Sequence, residues 1–320
     1  MRTRLPAGKV VAPAALALTL LGGCAYFATR FAPEKTPRPS NTAQAEKARQ
    51  SFWKTFHAGN YDALPRAIER LTAAYLKNPR DPKLALLLGH AHFWKGAERR
   101  RLAEVPATIT DEFLLAEKYF EEARRLAPGD DRILGWLGGV RLALGSMHDD
   151  EKLTRRGFFM LKDAAEAYPA FNHFSMGFAM SAQPAGSERF ADAVEHMWQN
   201  LDACVGERLD REAPAYGAYM GAATTEGRKR VCWNGPEAPH NFEGFMLNFG
   251  DMLVKAGRPA VAQQIYANAR LSKTYDSWPY RDTLEQRLVT AEERARQSAA
   301  GGTPALMVRS TFACTGCHAK

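Results

Sequence analysis

Residues 67–79 read A-I-E-R-L-T-A-A-Y-L-K-N-P, and their spacing returns further along the chain. Ala67, Leu71, Ala74 and Pro79 define the pattern A-x3-L-x2-A-x4-P. Ala116, Phe120, Ala123 and Pro128 repeat it residue for residue, and Gly157, Leu161, Ala164 and Pro169 repeat it with Gly first. Ala262, Tyr266 and Ala269 make a fourth copy without the proline. Small, large and small residues at i, i+4 and i+7 share one helix face, so a partner helix can approach closely at the small ones. The proline stops one helix and opens the next, where its missing N–H costs little. Leu88-Gly89, Leu137-Gly138 and, more loosely, Phe249-Gly250 lie upstream, as the first helix of each pair would require. From about residue 43 the apolar periodicity is helical, and no convincing strand pair occurs.

This pattern resembles the tetratricopeptide repeat, with Leu-Gly in its first helix and A-x3-F-x2-A-x4-P in its second. The likeness covers roughly residues 45–170 and 240–275. Residues 97–111 and 146–154 read as insertions, and 170–238 match poorly. The resemblance implies an all-α, helix-turn-helix solenoid over 43–300, with a concave face for a ligand the sequence does not name. Residues 285–300 read as one charged helix, which A-A-G-G-T-P (299–304) breaks, so 301–320 form a tail.

Both ends of the 320-residue chain carry signals of another kind. Arg2, Arg4 and Lys9 precede an apolar run over 10–21, too short to span a bilayer comfortably and fitting a secretory signal. It ends in L-G-G-C (21–24), which resembles the bacterial lipobox. That likeness implies that residues 1–23 are removed, that Cys24 is acylated, and, with Ala25 following, that the outer membrane is the destination. A plain cleaved signal or an uncleaved anchor is the other reading. Residues 24–42 then form a tether, with three prolines in A-P-E-K-T-P-R-P-S (32–40). Losing three basic residues lowers the formal charge of +8 by three. The remaining Lys and Arg are scattered, with no aromatic-interleaved basic motif, which argues against a nucleic-acid partner.

Five cysteines divide by position. Cys24 goes to lipid. Cys204 and Cys232 pair as a disulfide in an oxidising compartment, two buried free thiols being the alternative. Cys314, Cys317 and His318 form C-T-G-C-H, the c-type haem attachment sequence. Two thiols spaced by two residues add to the porphyrin's two vinyl groups, and the adjacent His318 ligates the iron. A redox dithiol would need a thioredoxin-like domain, and zinc a fourth ligand. The sixth iron ligand stays open. His57, His90, His92, His148, His173, His196 and His240 each have an ordinary structural explanation available, and His90 and His92 at i, i+2 diverge. His173, near Met176 and Met180, fits a core helix.

The expectation is an exported, lipid-anchored monohaem c-type cytochrome in the cell envelope, facing the periplasm. It carries one covalent haem c and docks a protein redox partner on its repeats. Two alternatives stand beside it: an envelope scaffold or adaptor with the haem as a minor element, and a haem peroxidase or gas sensor. No nucleophile–base pair or metallohydrolase site suggests hydrolysis.

Overall fold

The computed structural model describes residues 25–222, 227–233 and 240–319. The signal segment and the lipidated Cys24 expected from the sequence lie outside them. The chain divides into two compact units, one ending at Thr36 and the other running from Pro37. In the first, residues 25–30 are helical and Tyr26, Phe27 and Phe31 are exposed.

Among the described residues of the second unit every regular element is helical. In chain order these are α1 (Ala43–His57), α2 (Leu64–Lys77), α3 (Pro82–Ala97), α4 (Asp111–Leu126), α5 (Asp131–Met147) and α6 (Glu151–Ala167). Then come α7 (Pro169–Met180), α8 (Glu188–Val205), α9 (Phe242–Lys255), α10 (Pro259–Asn268), α11 (Arg281–Val289), α12 (Ala291–Ala299) and α13 (Thr315–His318). Local chemistry sets the starts. Asp81, Asp130, Asp150, Ser187 and Asn241 each accept a backbone N–H from the first turn of the helix that follows, satisfying donors that the helix itself cannot. Pro82, Pro169 and Pro259 occupy first-turn positions where no donor is needed.

The most extensive contacts join α1 to α2, α3 to α4, α5 to α6, α7 to α8 and α9 to α10, giving a row of helical hairpins. The repeated spacing is what packs them. A Cβ on Gly89 would sit 2.5 Å from the ring of Phe120, one on Gly138 2.8 Å from the Leu161 nitrogen, and one on Gly250 2.2 Å from the Tyr266 ring. Each upstream glycine thus receives the large residue at the centre of the following A-x3-[FLY]-x2-A motif. The flanking Ala116, Ala123, Ala262 and Ala269 have no solvent exposure.

Four details differ from the sequence reading. Residues 146–154 are not an insertion: α5 runs through Met147 and α6 begins at Glu151, joined by a tight turn with Asp149 at φ 53°. The stretch 170–238 holds most of a further hairpin, α7 with α8, in which a Cβ on Gly177 would lie 2.7 Å from the Met197 sulfur. The charged helix over 285–300 is two helices, α11 and α12, broken at Thr290, whose hydroxyl bonds back to the Gln286 carbonyl and competes with the helix ladder there. Pro79 and Pro128 lie between helices, and only Pro169 also opens the next one.

The end of the proline-rich segment is pinned. The Arg38 N–H donates to the Arg80 carbonyl (2.8 Å) and the Ser40 N–H to Asp81 Oδ2 (2.8 Å). The Cys204–Cys232 disulfide, at a sequence separation of 28 residues, ties the end of α8 to the segment before α9.

Two glycine substitutions should act with opposite sign. Gly250→Ala meets a tyrosine ring that its own hydrogen bond to Asp251 holds in place, so it should destabilise by about 1–3 kcal/mol. Gly139→Ala in α5 meets nothing within 4 Å and should stabilise by up to about 1 kcal/mol through helix propensity. Urea unfolding midpoints of both variants check this.

Candidate functional site

The C-T-G-C-H segment is packed into the body, and most of the hydrogen bonds that hold it come from groups far away in sequence. Glu98 follows α3 in the stretch read as an insertion, and it is wholly buried. Its Oε1 accepts from the Cys314 N–H (2.9 Å), the Thr315 N–H (2.8 Å) and the Thr315 hydroxyl (3.0 Å). Its Oε2 accepts from Trp94 Nε1 (2.8 Å) and pairs with Arg101 (2.9 Å). Arg101 in turn donates to the Thr311 carbonyl (2.6 Å), the Gly59 carbonyl (3.0 Å) and Thr315 Oγ1 (2.8 Å). A buried carboxylate is tolerable only when paired and fully hydrogen-bonded, and the tail supplies three of its donors.

The opposite flank comes from the second half of the chain. The Asn241 N–H donates to the Cys317 carbonyl (2.7 Å) and its side-chain amide to the Ala319 carbonyl (3.0 Å). Trp278 Nε1 donates to the Gly316 carbonyl (3.1 Å), and Tyr280 shares a hydrogen bond with Thr315 Oγ1 (2.7 Å). Gly244 in α9 lets the backbones meet, since a Cβ there would lie 2.4 Å from the Gly316 oxygen. The two residues between the cysteines are therefore fixed by packing. Thr315 has no solvent exposure, and Gly316 lies under the Met307 and Phe312 side chains.

Cys314, Cys317 and His318 all line one cleft of about 310 Å3, at the lower end of the usual range for ligand pockets. Its other walls come from the first helices of successive hairpins: Phe93 on α3, Trp136, Gly139 and Ala143 on α5, and Phe174 and Phe178 on α7. Ser175 Oγ, also on this wall, is buried without a hydrogen-bond partner. Among the described residues no acid lines the cleft, and its Lys or Arg side chains are Arg99 and Arg309. His240 lies opposite His318, with ring centroids 4.8 Å apart, and rests on Phe174 at 4.1 Å. Burial pushes the His240 imidazole down to about 3. Phe56 from α1 lies 4.6 Å from the His318 ring.

The two thiols are not joined to each other. Burial, with Glu98 and Cys317 adding to it, pushes the Cys314 thiol up; burial and Glu243 push the Cys317 thiol up. A poised redox dithiol requires the reverse shift. Among the described residues no group of three or more His, Cys, Asp or Glu side chains is placed to hold a metal ion, so the two thiols and the imidazole do not form a zinc-like cage. His173 faces away from the cleft into a pair with His196, Nδ1 to Nδ1 at 2.8 Å. His90 packs against Trp136 and Phe120.

Sequence reasoning found the thiols, the imidazole and the disulfide. It missed Glu98, Arg101 and Asn241, and the place of His240 on the cleft wall, for which no local motif exists. Comparison with known proteins adds no assignment: no family model, curated protein or solved structure matches this chain.

Breaking the Glu98 contacts should free the tail. Glu98→Ala strands buried donors, at a cost of about 3–5 kcal/mol, and should expose Cys314 and Cys317 to maleimide in the native apo chain. Glu98→Gln, which keeps acceptor capacity, should show a smaller effect, read by labelling rate and by hydrogen exchange over 301–319. Acid should weaken a different place. Burial and mutual repulsion lower His173 to about 4, and burial also lowers His196 against the pull of Asp192 and Glu195. The unfolded chain therefore binds these protons first, so the stability from keeping the pair neutral is present above about pH 6.5 and is lost as pH falls toward 4. Urea midpoints at pH 7.5 and 5.0 should differ less in His173→Gln than in the parent.

Proposed function

We infer that this chain is an exported, lipid-anchored c-type cytochrome carrying one haem, exchanging single electrons with a protein docked on a tetratricopeptide-like array of hairpins. The observation that carries the reading is the convergence of Cys314, Cys317 and His318 on one largely apolar cleft that also holds Arg99 and Arg309. A porphyrin is a flat apolar disc with two carboxylates on one edge, and these walls suit both parts.

When bound, the group supplies a one-electron ferric–ferrous couple. The roles of the residues follow from their chemistry. Cys314 and Cys317 would hold the group covalently, each adding its S–H across one vinyl group, sulfur to one carbon and hydrogen to its neighbour. His318 would supply an imidazole nitrogen to the iron. Trp136, Phe174 and Phe178 exclude water, which lowers the local dielectric and tunes the potential. Arg99 and Arg309, both on the cleft wall, would pair with the carboxylates. Glu98 and Asn241 keep the attached segment rigid, which holds the reorganisation accompanying electron transfer low.

The envelope location rests on the signal segment and Cys24. The disulfide accords with it, since such bonds persist in oxidising compartments. The high thiol values weigh against a dithiol oxidoreductase.

Expression with the cytochrome c maturation machinery tests the reading. Pyridine haemochrome analysis should return one covalently bound haem per chain, lost in the Cys314→Ala/Cys317→Ala double variant. A colourless exported protein would overturn it and leave a helical adaptor. Gly139→Phe points a ring into the cleft from a position with no packed neighbour. The fold should survive by circular dichroism while haem content falls. Reduction of the disulfide, which closes a loop of 28 residues, should cost about 3–4 kcal/mol on loop-entropy grounds, read as a lower unfolding midpoint with dithiothreitol.

A further inference from the structure

We propose that the aromatic turn directly after Cys24 is a second membrane contact, in which Tyr26, Phe27 and Phe31 insert at the boundary between lipid headgroups and acyl chains. The inference rests on the lipid-anchor part of the functional reading above and is independent of the haem.

The surface is already formed. Residues 25–30 are helical, and the Phe31 N–H closes on the Phe27 carbonyl (2.9 Å), so the turn runs through Phe31. At about 100° per residue, Tyr26, Phe27, Arg30 and Phe31 fall within about 140° of one face. Ala25, Ala28 and Thr29 take the other, where the Thr29 hydroxyl is satisfied by the Ala25 carbonyl (2.8 Å). The rings are 64%, 57% and 75% exposed and pack on one another. Tyr26 meets Phe27 edge-on at 5.7 Å, and Phe27 stacks on Phe31 at 5.9 Å with planes 8° apart. Nowhere else among the described residues do three exposed large apolar side chains fall within six positions. Single exposed apolar residues need no explanation, but a contiguous patch marks a contact site.

Covalent continuity names the occupant. Ala25 is bonded to Cys24, so with acyl chains on Cys24 the helical turn through Phe31 ends about 10 Å of rise from the anchored residue. Free in solution, one turn with three rings would hold a bilayer weakly. Attached to lipid, it meets the surface at a high effective concentration, and a modest apolar gain is enough to seat it. The side chains suit that depth. Tyr26 has an apolar ring with a polar tip for the headgroup level, the two Phe rings go deeper, and Arg30 between them can lay its stem along the rings and send its guanidinium to the phosphates. Seating the turn takes seven residues out of the tether, about 23 Å of fully extended reach. The proline-rich stretch would then leave directly from the membrane surface.

The experiment uses the exported full chain, purified from membranes and reconstituted in phosphatidylethanolamine–phosphatidylglycerol vesicles, with Phe27→Trp as a depth probe. The mass of the N-terminal peptide reports whether Cys24 is acylated. Emission is compared between lipids brominated high on the acyl chains and unbrominated ones, with the six native tryptophans of the parent as background. Phe27→Trp should add emission that the brominated lipids quench at least twofold. Adding Tyr26→Ser and Phe31→Ser to that chain should remove at least half of the added quenching and leave the circular dichroism of the body unchanged. With Cys24 acylated, added emission that stays unquenched overturns the inference and leaves the lipid anchor standing; a blue shift without quenching would assign the rings to a protein partner instead. Quenching that is equal after Tyr26→Ser and Phe31→Ser also overturns it, because nearness to the anchor then explains the signal. An unacylated Cys24 overturns the anchor and this contact together.

Discussion

The buried Glu98 carboxylate is the constraint on which the arrangement of this molecule turns. It has no solvent exposure, and it is satisfied by two backbone N–H groups, a hydroxyl, an indole N–H and a guanidinium. Three of those five donors come from residues 314 and 315. With the tail away, the carboxylate would keep only Trp94 and Arg101 in an apolar setting, and desolvation would exceed what two donors return. The body therefore carries a charge that is fully satisfied only when the cysteine segment is in place. Arg101 extends the same logic, since the Thr311 and Gly59 carbonyls and Thr315 all accept from it.

What the sequence disclosed and what it hid follow a physical division. Helix pairing was legible because close approach imposes small residues at fixed spacing, and the match of Gly89 to Phe120 or Gly250 to Tyr266 is that spacing made three-dimensional. The α7–α8 hairpin escaped because flexible Met197, rather than an aromatic ring, fills the space over Gly177. The turn over 148–150 looked like an insertion because H-D-D carries no glycine or proline to mark a tight turn. The disulfide followed from cysteine arithmetic. The clamp on the tail was invisible, since hydrogen bonds at separations of 210 to 217 residues leave no periodic trace. His240 was one histidine among several until Asn241 placed it.

The stretch over 97–111 shows how function and packing can share a departure from a repeat. A regular hairpin would join α3 to α4 with a short turn. The longer connection instead places Arg99 on the cleft wall and Glu98 and Arg101 against the cysteine segment. Arg99 lines the cleft while Glu98 and Arg101 hold the segment that forms its floor. The departure from the repeat is where the site is built.

A row of hairpins has contacts mainly between neighbours, and such arrays tend to fray from their ends because nothing couples the first unit to the last. Here the tail supplies that coupling. Cys314 packs on a core that draws on α1 to α5, while Cys317 and Met307 lie within one that draws on α5 to α12. Phe56 of α1 touches His318, and the N-terminus of α9 touches Gly316. Each half of the array completes its burial against the same few residues, so loosening either half weakens the seat of the other. A site divided this way is only as rigid as the whole domain. That gives the buried Glu98 contacts a consequence beyond local stability: they make the geometry around His318 a property of the folded chain rather than of a loop.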